Sequence, residues 1–150
     1  MEPTVVVIYV WRGKAYLPTQ AQYETGGNID VNPVYVANLR ATELAEAMGK
    51  VLAAKQPILS ALTKEEIGHR TSPVLVATGA RSWKVLAQTG ASYVIGWNGK
   101  EVRIDMSRLD KKGRWEYDLD KTKLLPPDTS LTSIAETVMD DIQSRLEVLT

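Results

Sequence analysis

The dipeptide Asn98-Gly99, set between Trp97 and Lys100, constrains this chain more than any other short stretch. Asn-Gly accepts the positive φ angles that a two-residue hairpin turn requires, so the runs on either side are predicted to pair antiparallel. With that turn, Ile95 faces Val102, Tyr93 faces Ile104 and Ala91 faces Met106. This collects one apolar face and leaves Arg103, Asp105 and Ser107 on the other. Asp110-Lys111-Lys112-Gly113 reads as a second turn. Residues 114–120 then return as a strand, with Trp115, Tyr117 and Leu119 on one side and Glu116, Asp118 and Asp120 on the other. The segment Pro126-Pro127-Asp128-Thr129-Ser130 ends the meander and opens a long helix whose apolar stripe is Leu131, Ile134, Val138, Ile142, Leu146 and Leu149.

The first half repeats this order. Residues 5–11 are β-branched and aromatic, and Arg12-Gly13 makes a tight connection to Lys14-Ala15-Tyr16-Leu17. Pro18 fits if the second strand stops there or lies at an edge. After Gly26-Gly27-Asn28, alternation at Ile29, Val31, Val34 and Val36 predicts a third strand interrupted by Pro33. From Thr42 the period becomes helical, with Leu44, Met48, Val51 and Leu52 on one stripe, a cap from Thr42 or Asn38, and Pro57 as terminator. A short helix over residues 82–88 should turn Trp83, Leu86 and Ala87 inward and stop at Gly90. Between them, residues 63–66 resemble a capping box and residues 71–73 and 78–79 read as turns. The expected fold class is therefore α+β: one or two antiparallel sheets with amphipathic helices packed on them, built as a pseudo-repeat of β-β-β-α in a single domain over residues 1–150.

Bulk charge names no partner, because 18 basic and 18 acidic residues cancel. Without cysteine there is no disulfide, thiolate metal site or cysteine nucleophile. The apolar run at residues 5–11 is too short for a signal-peptide core or a membrane span, so the cytoplasm is the expected compartment. No phosphate loop, nucleophile elbow or zinc-protease motif occurs, and no cofactor or metal is expected.

Candidate chemistry is sparse. Glu65 and His69 share a helix face at a spacing that suits two ligands, but with one histidine in the chain the bland reading of a solvated or capping side chain is favoured. Glu116, Asp118 and Asp120 have the alternation to bridge a hard cation, against the simpler reading of a solvent face paired with Arg103. Arg108, Lys111, Lys112, Arg114 and Trp115 mix cations with an aromatic at a hairpin tip, as a nucleic-acid or acidic-protein contact would. The last helix offers Glu136, Asp140, Asp141 and Glu147 as an acidic stripe, with Arg145 the one cation against it. The hairpin and this stripe are the expected partner-binding residues.

Residues 82–87 (Ser-Trp-Lys-Val-Leu-Ala), 107–116 (Ser-Arg-Leu-Asp-Lys-Lys-Gly-Arg-Trp-Glu) and Pro126-Pro127-Asp128-Thr129 resemble small bacterial immunity proteins of contact-dependent growth inhibition systems. The resemblance implies a cytoplasmic, non-catalytic protein that binds one cognate toxin domain, commonly a nuclease, and neutralises it. The neutral overall charge departs from the acidic character of many nuclease inhibitors, which leaves the toxin class open. By element order the first half is similar to β-β-β-α antitoxins related to the HicB type. A small nucleic-acid-binding regulator using the same hairpin is the alternative expectation.

Overall fold

The computed structural model describes residues 4–24, 28–54, 58–59 and 72–145. Its centre is β1 (Thr4–Trp11), which lies between β2 (Lys14–Tyr23) and β5 (Gly90–Trp97). The sheet continues through β3 (Asn28–Asn38) beyond β2, and through β6 (Val102–Leu109) and β7 (Trp115–Tyr117) beyond β5. β8 (Lys123–Leu125) pairs with the other end of β6. Seven strands run antiparallel to their neighbours, and the two-residue β4 (Ile58–Leu59) lies parallel to β2. The two halves thus join through their first strands into one sheet.

Both turn signals form hairpins, with different loops. Trp11 pairs with Lys14, and Arg12 and Gly13 both take positive φ, the geometry that matches the twist of the flanking strands. At the second hairpin Trp97, not Ile95, faces Val102, so the loop is four residues long. The Asn98 Oδ1 accepts from the amides of Lys100 and Glu101, and this side-chain turn widens the loop. Ile95 consequently faces Ile104, and Tyr93 faces Met106. The register differs from expectation by two residues, an even number, so the same side chains still point inward.

Pro18 does not end β2. The β1 ladder on β2 stops at Tyr16, so the missing proline amide breaks no bond to β1. On the β3 side the register shifts between Pro18 and Thr19: Val34 lies opposite Pro18 and Val31 opposite Thr19, leaving Asn32 and Pro33 as a bulge. The Thr19 hydroxyl donates to the Pro33 carbonyl at 2.8 Å and holds it.

One face of the sheet carries Val6, Ile8, Val10, Leu17, Ala91, Tyr93, Ile95, Val102, Ile104 and Met106, all buried. Two helices cover it. α1 (Ala41–Ala53) contributes Leu44, Ala47, Met48 and Val51, and its N-cap is Arg40, without a side-chain cap. The last helix, α4 (Leu131–Ser144), contributes Ile134, Ala135, Val138, Met139 and Ile142 and is capped by the Ser130 hydroxyl. Each fully buried leucine or isoleucine here contributes roughly 2 kcal/mol of transfer free energy.

The opposite face is only partly covered by the described residues. α2 (Pro73–Thr78) and α3 (Trp83–Thr89), capped by Ser72 and Ser82, close a smaller cluster of Trp11, Val74, Ala80 and Leu86 at the Trp11 end. α2 occupies a stretch where turns are expected, and its Ser-Pro start and Gly79 end, at φ 79°, are its local signals. Leu86 and Ala87 of α3 are buried, but Trp83 is 39% exposed and does not enter the core. Among the described residues no helix is long and apolar enough to cross a membrane. The 63–66 capping pattern, Glu65, His69, Leu146, Glu147 and Leu149 lie outside the described residues.

Candidate functional site

The acidic stripe of α4 divides. Glu136 and Asp140 are exposed, whereas Asp141 is buried at 9% exposure. The Tyr93 hydroxyl donates to Asp141 Oδ2 at 2.6 Å, and Lys121 Nζ lies 3.3 Å from Oδ1. Arg145 Nε sits 2.8 Å from Oδ2 without the alignment to donate, so that contact is ionic. Burial raises the Tyr93 phenol above the usual tyrosine range, and the bond to Asp141 adds to it. Asp141 is a structural anchor between helix and sheet rather than part of an exposed stripe. The helical period misplaces it because the side of α4 that meets Tyr93 is wider than the apolar stripe, and a carboxylate can occupy that margin when donors meet it.

Two of the four hairpin cations, Arg108 and Arg114, are engaged by acidic neighbours. Arg108 Nε lies 2.9 Å from Glu116 Oε1, and Arg108 Nη1 lies 3.6 Å from Asp118 Oδ1. These acids hold its guanidinium above its ordinary pKa, the hydrogen bond to Glu116 being the main cause. Arg114 pairs with Asp110, whose Oδ1 accepts from the amides of Arg114 and Lys112. Those backbone bonds, led by the one from Arg114, hold the Asp110 carboxyl below its ordinary pKa. Lys111 and Lys112 remain exposed at the tip. Trp115 turns onto the sheet instead of standing at the tip. The strand expected over residues 114–120 ends at Tyr117, and Leu119–Lys121 form a turn of 3-10 helix, so Glu116, Asp118 and Asp120 do not share a strand face. Among the described residues no three acidic or histidine side chains gather to hold a metal ion.

What the structure assembles lies on the partly covered sheet face. Tyr9, Trp83 and Trp115 form a ring cluster, with centroid distances of 5.4 Å for Tyr9–Trp83, 5.7 Å for Tyr9–Trp115 and 6.4 Å for Trp83–Trp115. Beside it, a groove of 500 Å³ runs over Val5, Val7 and Val94, with Asp30 at one wall and Tyr117, 50% exposed, at the other. The Tyr9 hydroxyl donates to Asp30 Oδ2 at 2.8 Å and Gln20 Nε2 donates to Oδ1 at 2.7 Å, which fixes that carboxylate. Tyr9 is held above the usual tyrosine range by burial first and by Asp30 second. Burial also raises Tyr117, with Asp105 adding to it. Both phenols therefore stay neutral, as hydrogen-bond donors on an aromatic surface. The legible signal was β1 itself. A strand that is apolar at both parities has to meet something on both faces, and the described residues cover only half of its second face.

A second groove, of 370 Å³, separates the edge strand β3 from α1, with Val36 exposed on the strand and Glu43, Glu46 and Lys50 on the helix.

No protein-family model matches the chain, and no curated protein does. Solved structures share its fold, two of them over nearly the whole chain. The protein of unknown function NMB0488 from Neisseria meningitidis matches with a TM-score of 0.66 at 14% identity, over 96% of this chain and 95% of its own. A chain of the CdiA-CT/CdiI toxin and immunity complex from Yersinia pseudotuberculosis matches with a TM-score of 0.66 at 15% identity, over 97% of this chain and 98% of its own. At these identities the likeness is one of fold. The resemblance carried by residues 82–87, 107–116 and 126–129 is thus met at the level of architecture, and it extends along the chain beyond its second half.

Proposed function

We propose that this chain is a non-catalytic binding module, an immunity protein that acts in the cytoplasm as a single domain and neutralises a cognate protein toxin domain. The observation that carries the reading is the fold shared over 97% of the chain with a chain of a toxin and immunity complex. The distribution of polar groups supports it: Asp141, Asp110, Arg108 and Glu116 are engaged in holding the fold together. The partly exposed aromatic surface supports it too, since tyrosine and tryptophan are the side chains that most often dominate protein-protein affinity.

The test is capture from the native cell with the tagged chain, with and without nuclease digestion and with a high-salt wash. One stoichiometric protein should survive both treatments. Its relevant domain, expressed alone, should arrest growth, and co-expression of this chain should restore it. Bound material that disappears on nuclease or salt treatment would overturn the reading in favour of nucleic-acid binding. A captured protein that is harmless when expressed alone would overturn it as well.

A further inference from the structure

We propose that Asn98 is a self-modification site: attack of the Gly99 main-chain nitrogen expels its side-chain amide as ammonia and leaves aspartate and isoaspartate in the loop between β5 and β6. Three observations meet at this residue.

The first is the nucleophile. Among the described residues the Gly99 amide donates to no other group, and nothing lies within 4 Å of where a β-carbon on Gly99 would stand. Its nitrogen is neither tied into the hairpin ladder nor screened by a side chain, and glycine permits the φ and ψ changes that bring it onto Asn98 Cγ. Asn98 and Gly99 are both exposed, so water and hydroxide reach them.

The second is the electrophile. Asn98 Oδ1 accepts from the Lys100 amide at 2.8 Å and from the Glu101 amide at 2.9 Å. Two main-chain donors at this distance polarise the side-chain carbonyl, and they stay in place for the negative charge that gathers on Oδ1 as a bond forms at Cγ. The folded loop thus holds ready the donors that an unfolded chain has to organise during the reaction, which offsets the freedom lost by ordering the loop.

The third is selectivity. The chain has three other asparagines, Asn28, Asn32 and Asn38. Asn32 precedes Pro33, whose nitrogen has no proton to give up. Asn28 and Asn38 lie in β3 and are followed by Ile29 and Leu39, whose side chains crowd the attacking nitrogen. The Asn38 side chain is also held at both ends, accepting from Lys14 and donating to Glu43.

The reaction consumes one water and releases one ammonia. Base takes the Gly99 amide proton, the nitrogen bonds to Cγ, and the Cγ–Nδ2 bond breaks, Nδ2 leaving as ammonia after taking a proton from water. Water then opens the succinimide ring. Cleavage at Cγ gives aspartate. Cleavage at the main-chain carbonyl of residue 98 gives isoaspartate, in which the chain runs through Cγ and gains a methylene. Either product puts a new negative charge near Glu101, and isoaspartate also lengthens the four-residue loop that sets Trp97 opposite Val102.

The test is ageing of the purified full-length chain at neutral pH, folded and, in parallel, unfolded in urea. Peptide mass mapping reads conversion at each asparagine, and labelled-methyl transfer by an isoaspartyl methyltransferase counts the isoaspartate. Conversion should concentrate at Asn98, and the folded chain should convert it no more slowly than the unfolded chain, within about threefold. A larger slowing on folding, or conversion of Asn28 or Asn38 as fast as Asn98, would overturn the proposal. Asn98→Asp separates the new charge from the longer backbone: aspartate can still accept from Lys100 and Glu101, so this variant should unfold with the wild type. The isoaspartate fraction, isolated chromatographically, should unfold at about 0.5 M less urea. If it unfolds with the wild type instead, the stated effect on the loop is wrong.

Discussion

Replacing Asp141 by asparagine should destabilise the fold without touching any exposed surface. The side chain is 7% exposed and meets a hydroxyl and two cations: Tyr93 at 2.6 Å, Lys121 at 3.3 Å and Arg145 at 2.8 Å. Asparagine preserves the shape and an acceptor for Tyr93 but removes the charge in front of both cations. Removing one partner of a fully buried pair costs about 3–5 kcal/mol. Here the side chains of Lys121 and Arg145 keep 44% and 19% exposure and can recover part of their hydration, so the expected loss falls to about 2–3 kcal/mol. Tyr93→Phe deletes one hydrogen bond to a charged acceptor at a site water does not reach, and should cost about 2 kcal/mol. Because the two groups touch, the double variant should lose about 1–2 kcal/mol less than the sum of the single losses. The assay is urea unfolding at pH 7 with the slope checked for constancy; a 2 kcal/mol loss moves the midpoint by about 1 M. Asp140→Asn, one residue away and exposed, is the control and should stay within about 0.5 kcal/mol. An Asp141→Asn variant as stable as that control would refute the buried-anchor argument.

Three further outcomes follow from the same geometry. Gly90→Ala should destabilise by about 3 kcal/mol in the same urea assay. Its added methyl would press into the Val10 carbonyl oxygen and lie 2.8 Å from that of Leu86, both fixed in secondary structure, whereas Gly96→Ala in the same strand meets nothing within 4 Å and should be neutral or slightly stabilising. Ser107→Ala should cost about 1–2 kcal/mol, because the buried Ser107 hydroxyl accepts from the Ser92 amide at 2.8 Å and alanine leaves that donor unpaired; Ser107→Thr, which keeps the hydroxyl, should lose less. Above pH 10 stability should fall by up to about 1.4 kcal/mol per pH unit for each of Tyr9 and Tyr93. Their folded pKa values are raised by burial, so the unfolded chain releases these protons first, and the stabilisation is complete below the unfolded pKa and lost above it. Absorbance titration at 295 nm checks this, since both phenols should ionise only as the protein unfolds.

Both expected contact surfaces look different in three dimensions. The α4 stripe loses Asp141 to the interior and Trp115 packs onto the sheet, while Arg108 and Arg114 pair with acidic neighbours and stay 53% and 68% exposed, beside exposed Glu136, Asp140, Lys111 and Lys112. The groove, by contrast, draws its walls from β1, β2, β3, β5 and β7, positions far apart in the chain.

By itself the sequence determined the α+β class, both hairpins, the inward faces of β5 and β6, and the stripes of α1 and α4. These rest on local chemistry: Arg12-Gly13 and Asn98-Gly99 set the turns, and alternation or a 3.6-residue period sets each face whatever the element later packs against. It was silent where the outcome depends on partners distant in the chain. The four-residue loop at Asn98, the bulge that lets β2 run through Pro18, the early end of β7 and the addition of β8 were settled by which strand lies alongside. The fate of charge was decided in the same way. Asp141 and Glu136 read alike along the helix, and only Tyr93, Lys121 and Arg145, brought up by the sheet and the helix end, make one of them a buried anchor. The joining of the two halves through β1 and β5 is likewise tertiary. It stacks Tyr9 against two tryptophans from the second half and leaves the groove beside them, because apolar residues at both parities of β1 are fixed by sequence while the extent of their cover is fixed by packing.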